Sequence, residues 1–192
     1  MYKVKLIRIE DNDNRAVLIV DSQGLPVDEP CRFLIGELNQ QSYKSVQNKA
    51  NSICQLLRWS LGRDINLLDR FRSGHLLNMS ERDSLVTYLS RNQKYSTQNE
   101  GNVIHFSGYV NADMLNLKIN HVKEYFRYQC QLAIDTKKIT DPLYLALNSG
   151  LDRLNGELDA KKVKPLRNKR VGLDFEEQKF LLEITFSMFM AQ

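Results

Sequence analysis

SYKSVQNKANSICQLLRWSLG, residues Ser42–Gly62, places Val46, Ala50, Ile53, Leu57 and Leu61 at i, i+4, i+7, i+11 and i+15, the repeat of a single helical face. Ser42 suits the N-cap, because its hydroxyl can accept from an orphan amide of the first turn, and Gly62 suits the stop. The row away from the apolar stripe reads Lys44, Asn48, Asn51, Gln55 and Arg58 at i, i+4, i+7, i+11 and i+14. One segment therefore has a buried face and a face of cations and amides.

The same period recurs downstream. Leu115, Ile119, Val122, Phe126, Cys130 and Ala133 form a stripe on a helix expected over about 113–134, opposite a row of Asn116, Asn120, Lys123 and Arg127. Asp141 before Pro142 is an N-cap followed by a proline at the first helical position, and Leu143, Leu147, Leu151, Leu154 and Leu158 continue at helical spacing. Between the two strongest helices, Ile65–Phe71 reads as a short helix. Ser80 with Asp83 approximates a capping box for another helix carrying Leu85, Val86 and Leu89, and residues 92–108 read as a loop.

Upstream, Val4 and Leu6 alternate with Lys3, Lys5 and Arg8, and Ala16-Val-Leu-Ile-Val20 comes after a polar turn, which predicts a β-hairpin. Gly24-Leu-Pro26 and Glu29-Pro30 are expected to break the chain before any helix begins, leaving the hairpin as an appendage. The expected fold class is mainly α: an N-terminal β-hairpin arm over 1–38, then a helical bundle over 39–160. Residues 161–172 read as a basic linker carrying Lys161, Lys162, Lys164, Arg167, Lys169 and Arg170. Residues 173–192 read as one helix, apolar all round, which opens a truncated second domain.

Composition narrows the function classes. The chain has 192 residues, 42% hydrophobic and 26% charged, enough to bury an ordinary core without disulfides or metal. A net charge of +4 leans toward an anionic partner. Cys31, Cys54 and Cys130 are odd in number and form no CxxC or CxxH pair, so no disulfide framework, zinc module or other metal site is expected, and a reducing, cytoplasmic setting fits. No signal-peptide core or membrane-spanning run is present in the sequence, so no membrane association is expected. His75, His105 and His121 lie in different elements, without metal-ligand spacing. Ser73-Gly-His75 reads as a turn, and no Walker, GxGxxG or GxSxG pattern occurs, so no catalytic residue and no cofactor is assigned.

Lys and Arg neutralise phosphates, while Asn and Gln can pair with adenine edges in the major groove, so the two polar rows suit double-stranded DNA. Lys118 joins the expected set from the second helix. Gly24-Leu-Pro-Val-Asp-Glu-Pro-Cys-Arg-Phe-Leu34, the helix from Ser42 to Trp59, Asn116-Leu-Lys-Ile119 with Val122 to Phe126, and Arg170-Val-Gly-Leu-Asp-Phe-Glu-Glu-Gln178 together resemble the N-terminal half of tyrosine-type site-specific recombinases, the phage integrase family. The resemblance implies a SAM-like core-binding domain that clamps duplex DNA for integration or recombination, a linker along the DNA, and self-association through a catalytic domain beyond Gln192. It also implies that the parent is a DNA-cleaving enzyme whose tyrosine, arginines and His-x-x-Arg are missing here. The competing expectation is a helical protein-interaction module whose polar faces are merely solvated. RNA binding is a weaker one, since the hairpin strands are too aliphatic for base stacking.

Overall fold

The computed structural model describes residues 1–8, 15–92 and 108–164. It is mainly helical, with strands β1 (Lys3–Arg8) and β2 (Arg15–Val20) leading into helices α1 (Asp28–Leu38), α2 (Tyr43–Leu61), α3 (Leu67–Ser73), α4 (Met79–Ser90), α5 (Ala112–Ile134) and α6 (Pro142–Ala160). The strands pair antiparallel, in a register that sets Lys3 against Val20 and Arg8 against Arg15. The expected loop at 93–107, the residues 9–14 that join the strands, and everything from 165 onward, including the apolar last helix and the start of a second domain, lie outside the described residues.

Side chains start five of the helices. Ser42 Oγ accepts from the Ser45 amide at 3.3 Å, Asn66 Oδ1 from Leu68 and Asp69, Asn111 from Met114 at 2.8 Å, and Asp141 from Leu143 at 2.8 Å with Pro142 behind it. The capping box of α4 lies earlier in the chain than expected. Asn78 and Glu81 cap each other's backbone, because both the amide oxygen and the longer glutamate reach the orphan amides, and Ser80 and Asp83 stand inside the helix.

Two expectations about the N-terminal region need correction. Helix α1 starts at Asp28 and runs through Pro30, which the first turn accepts because its missing N–H has no intrahelical partner there. The hairpin is not an appendage. Val17 and Ile19 are fully buried, and β2 packs on both α1 and α2. Cys31 of α1 fastens this contact, its Sγ lying 3.4 Å from both the amide and the carbonyl of Ile19. The alternating apolar residues of the strand need a surface to cover, and the apolar faces of α1 and α2 provide it.

Helix α2 is the hub, touching both strands, α1, α4 and α5, with Val46, Ala50, Ile53 and Leu56 inaccessible to solvent. Beside this apolar stripe, Lys49 is 2% exposed and lies 2.5 Å from Glu37 of α1 and 2.6 Å from Glu124 of α5, with its ammonium 5.5 Å above the Phe33 ring. A buried cation is tolerable only when it is compensated, and here partners from two other helices compensate it. Next to it Ser52 Oγ is 3.0 Å from His121 Nδ1. Burial holds His121 below its ordinary value of 6.5, more strongly than Glu124 lifts it, so the imidazole packs as a neutral ring.

Candidate nucleic-acid interface

The sequence offers two polar rows, and the structure treats them differently. On α2, Lys44 and Asn51 are exposed and Asn48, Gln55 and Arg58 are half-buried, so the row does form a surface. Within it, the Arg58 Nε donates to the Tyr2 carbonyl at 2.8 Å, which ties the start of β1 to the last turns of α2. Gln55 Oε1 is enclosed without a hydrogen-bond donor among the described residues, so the amide group of this side chain is not wholly available to a ligand.

A surface that sequence reading missed adjoins this row. At its other end the Arg15 guanidinium lies 5.7 Å over the Tyr43 ring, at the first residue of α2. Arg15 pairs with Arg8 across the hairpin, while Tyr2 is held by Arg58 at the opposite end. The hairpin therefore runs the length of α2. Arg15 is exposed near Lys44 at the start of α2, with Asn48 and Asn51 following on the helix, whereas Lys3 and Lys5, paired with Val20 and Leu18, are exposed on the side of the hairpin opposite the buried Val17 and Ile19; neither strand nor α2 contains an aspartate or glutamate. The cations exposed on the two strands and on α2 favour an anion, and in the sequence the acidic Glu10, Asp11 and Asp13 join the strands. The alternation of Lys3 and Lys5 is legible in the sequence, but the place of Arg15 at the head of α2 depends on a tertiary contact that no spacing encodes.

The row on α5 is largely closed. Lys118 belongs to the core, with its Nζ donating to the Leu89 carbonyl at the end of α4 at 2.9 Å, and burial holds its ammonium below the usual lysine value. It is not available to a ligand; the (CH₂)₄ stem fills apolar space while the head group satisfies an orphan carbonyl. Lys123 meets Asp159 at 2.6 Å, and the same carboxylate takes Lys162 at 2.7 Å, so these two hydrogen bonds hold Asp159 below the ordinary carboxylate range. Lys161 pairs with Asp83 of α4. Asn116 both donates to the Val163 carbonyl at 2.8 Å and accepts from its amide at 3.1 Å, pinning the segment after α6 back onto α5.

The beginning of the expected linker is thus docked on the bundle, and Asn116, Lys123, Lys161 and Lys162 are occupied by internal contacts. Asn120 is half-buried, and Arg127 and Lys164 are exposed. Arg167, Lys169 and Arg170 lie outside the described residues.

Among the described residues no group of three or more His, Cys, Asp or Glu is arranged to hold a metal ion, and no helix is long and apolar enough to cross a membrane. The three cysteines are buried, and burial raises each thiol, Cys130 to about 12, so none is a ready nucleophile at neutral pH. Ser52 and His121, at hydrogen-bond distance, are both buried, so the pair has no room for a substrate. Compared with protein-family models, with curated proteins and with solved structures, the chain matches none.

Proposed function

We propose that this chain is a DNA-binding domain that holds duplex DNA on the face made by the Arg15 end of the hairpin and the exposed row of α2. The observation that carries the reading is the exposed Arg15, seated over the Tyr43 ring at the head of α2, next to the exposed Lys44 and Asn51 and the half-buried Asn48 on a helix that contains no carboxylate. The cations serve phosphates, which set affinity, and the amides serve base edges, which set preference. The resemblance to tyrosine-type recombinases supplies the context: a core-binding domain that clamps the duplex during integration or recombination, with strand cleavage left to a catalytic domain.

Titration of a duplex at rising salt tests this. Binding to phosphates releases counterions, so log affinity should fall with log salt by about 0.9 per phosphate contacted. The second reading is a protein-interaction module. It is favoured by the exposure of Leu6 and Ile7 on the two sides of β1, apolar surface that a partner could cover. Absence of duplex binding at low salt would select that reading.

A further inference from the structure

A cavity of about 490 Å³ opens between the α3–α4 connection and α6, within the size range of small-molecule sites. Its wall includes Arg70, His75, Arg82, Ser149 and Arg153, and among the described residues no aspartate or glutamate lines it. Two of the arginines are fixed from behind: Glu81 holds Arg70 at 2.6 Å and Glu157 holds Arg82 at 2.7 Å. Arg82 is buried and also donates to the Leu77 carbonyl at 2.7 Å, so its guanidinium has one position. Arg153 and His75 are exposed, and neither has an internal partner among the described residues.

The backbone around this wall is tightly placed. Gly74 ends α3 with φ +76°, and a Cβ there would come within 3.0 Å of the Ala146 Cβ, so the connection lies directly on α6. Gly150 meets Leu76 on the same contact, where a Cβ would stand 3.5 Å from the leucine side chain. Three elements thus fix a concave, donor-rich surface.

We propose that this cavity binds a small phosphate-bearing anion. Arg153 and His75 contact it directly and Ser149 adds a hydroxyl donor, while Arg70 and Arg82, whose charges Glu81 and Glu157 balance, offer N–H donors, the buried Arg82 Nε having no hydrogen-bond partner among the described residues. Guanidinium groups suit phosphate because they present planar, paired donors. A pocket walled on several sides fits a small molecule, whereas a duplex needs an extended surface of the kind the Arg15 end of the hairpin and α2 provide. The proposal goes beyond the duplex reading and shares no residue with it.

The test is titration of the full chain with sodium pyrophosphate, monitored by the amide resonances of Gly74, Leu76 and Gly150, against sodium chloride at matched ionic strength. Saturable shifts at these amides are expected with pyrophosphate and not with chloride. Arg153→Glu should weaken the binding at least tenfold and His75→Gln severalfold, with unchanged circular dichroism because both side chains are exposed; Arg153→Ala serves if the charge reversal disturbs folding. Shifts spread equally over Lys3, Lys5 and the cavity, or affinity unaltered in the Arg153 variants, would overturn the proposal. So would cavity shifts produced by a short duplex but not by pyrophosphate, which would assign the arginines to the nucleic-acid backbone.

Discussion

Helices α2 and α5 carry nearly the same polar spacing, yet α2 leaves the Lys44–Asn51 part of its row open while α5 commits most of its row to the fold. Lys44 and Asn51 meet solvent on the helix that Arg15 caps at Tyr43, whereas Lys118 is buried and Lys123 and Asn116 are taken by Asp159 and Val163. The cause is the element packed beside each row. Helix α5 is overlaid by α6, whose C-terminal turn brings acidic Asp159 and the returning segment 161–163 onto the polar row. Beside the row of α2 lies the hairpin, whose described residues bring more cations. A cation is a ligand-binding group only if the rest of the chain leaves it without a carboxylate.

The largest effect that would break this comparison concerns Lys118. Lys118→Ala should destabilise the fold by about 2–3 kcal/mol, from the lost stem packing and the orphaned Leu89 carbonyl, without changing the salt dependence of duplex binding. Lys118→Met, which keeps the volume and removes a buried charge, should cost far less. Chemical denaturation of the two variants checks both. If Lys118→Ala instead lost duplex affinity at full stability, the lysine would belong to a surface after all.

Opening the closed row is the next test. Asp83→Ala with Asp159→Ala releases Lys161, Lys123 and Lys162, so duplex affinity should rise severalfold and the salt dependence should steepen by up to about 0.9 for each lysine that reaches a phosphate. Replacing Asn48 and Asn51 by Ala should act the other way on the open row. Discrimination between duplex sequences should fall, each good amide–adenine pair being worth about 1–3 kcal/mol, while the salt slope stays unchanged.

The smallest effect is one of pH, at the buried seam between the two helices. Burial keeps the His121 imidazole below 6.5 in the folded chain, so below pH 6.5 the unfolded chain takes up a proton that the folded chain refuses. Stability should therefore fall as pH drops through 6.5 and level off below the folded value. Thermal denaturation across this range should show the decline, and His121→Gln should flatten it.

Much of the fold is written locally. The apolar stripe from Val46 to Leu57, the Asp141–Pro142 start of α6 and the alternation in β1 each identify an element from its own residues. Element ends are less legible where two capping pairs overlap, as Asn78–Glu81 and Ser80–Asp83 do, since only backbone geometry decides between them. Pro30 misleads because a proline that breaks a helix interior is harmless in a first turn. For the candidate interface, spacing identifies the row on α2, but the burial of Lys118, the pairing of Lys123 and the addition of Arg15 all depend on contacts between elements far apart in sequence.

The most direct measurement sets two variants side by side in one salt-dependent duplex titration: Arg15→Glu with Lys44→Glu on the open face, and Lys123→Ala, Lys161→Ala and Lys162→Ala on the closed one. The first set should weaken binding at least tenfold and make the salt slope shallower by about 0.9 for each phosphate no longer neutralised, whereas the second should leave affinity within about twofold and the slope unchanged. Equal losses from both sets, or a larger loss from the second, would contradict the assignment of duplex binding to the Arg15 end of the hairpin and α2.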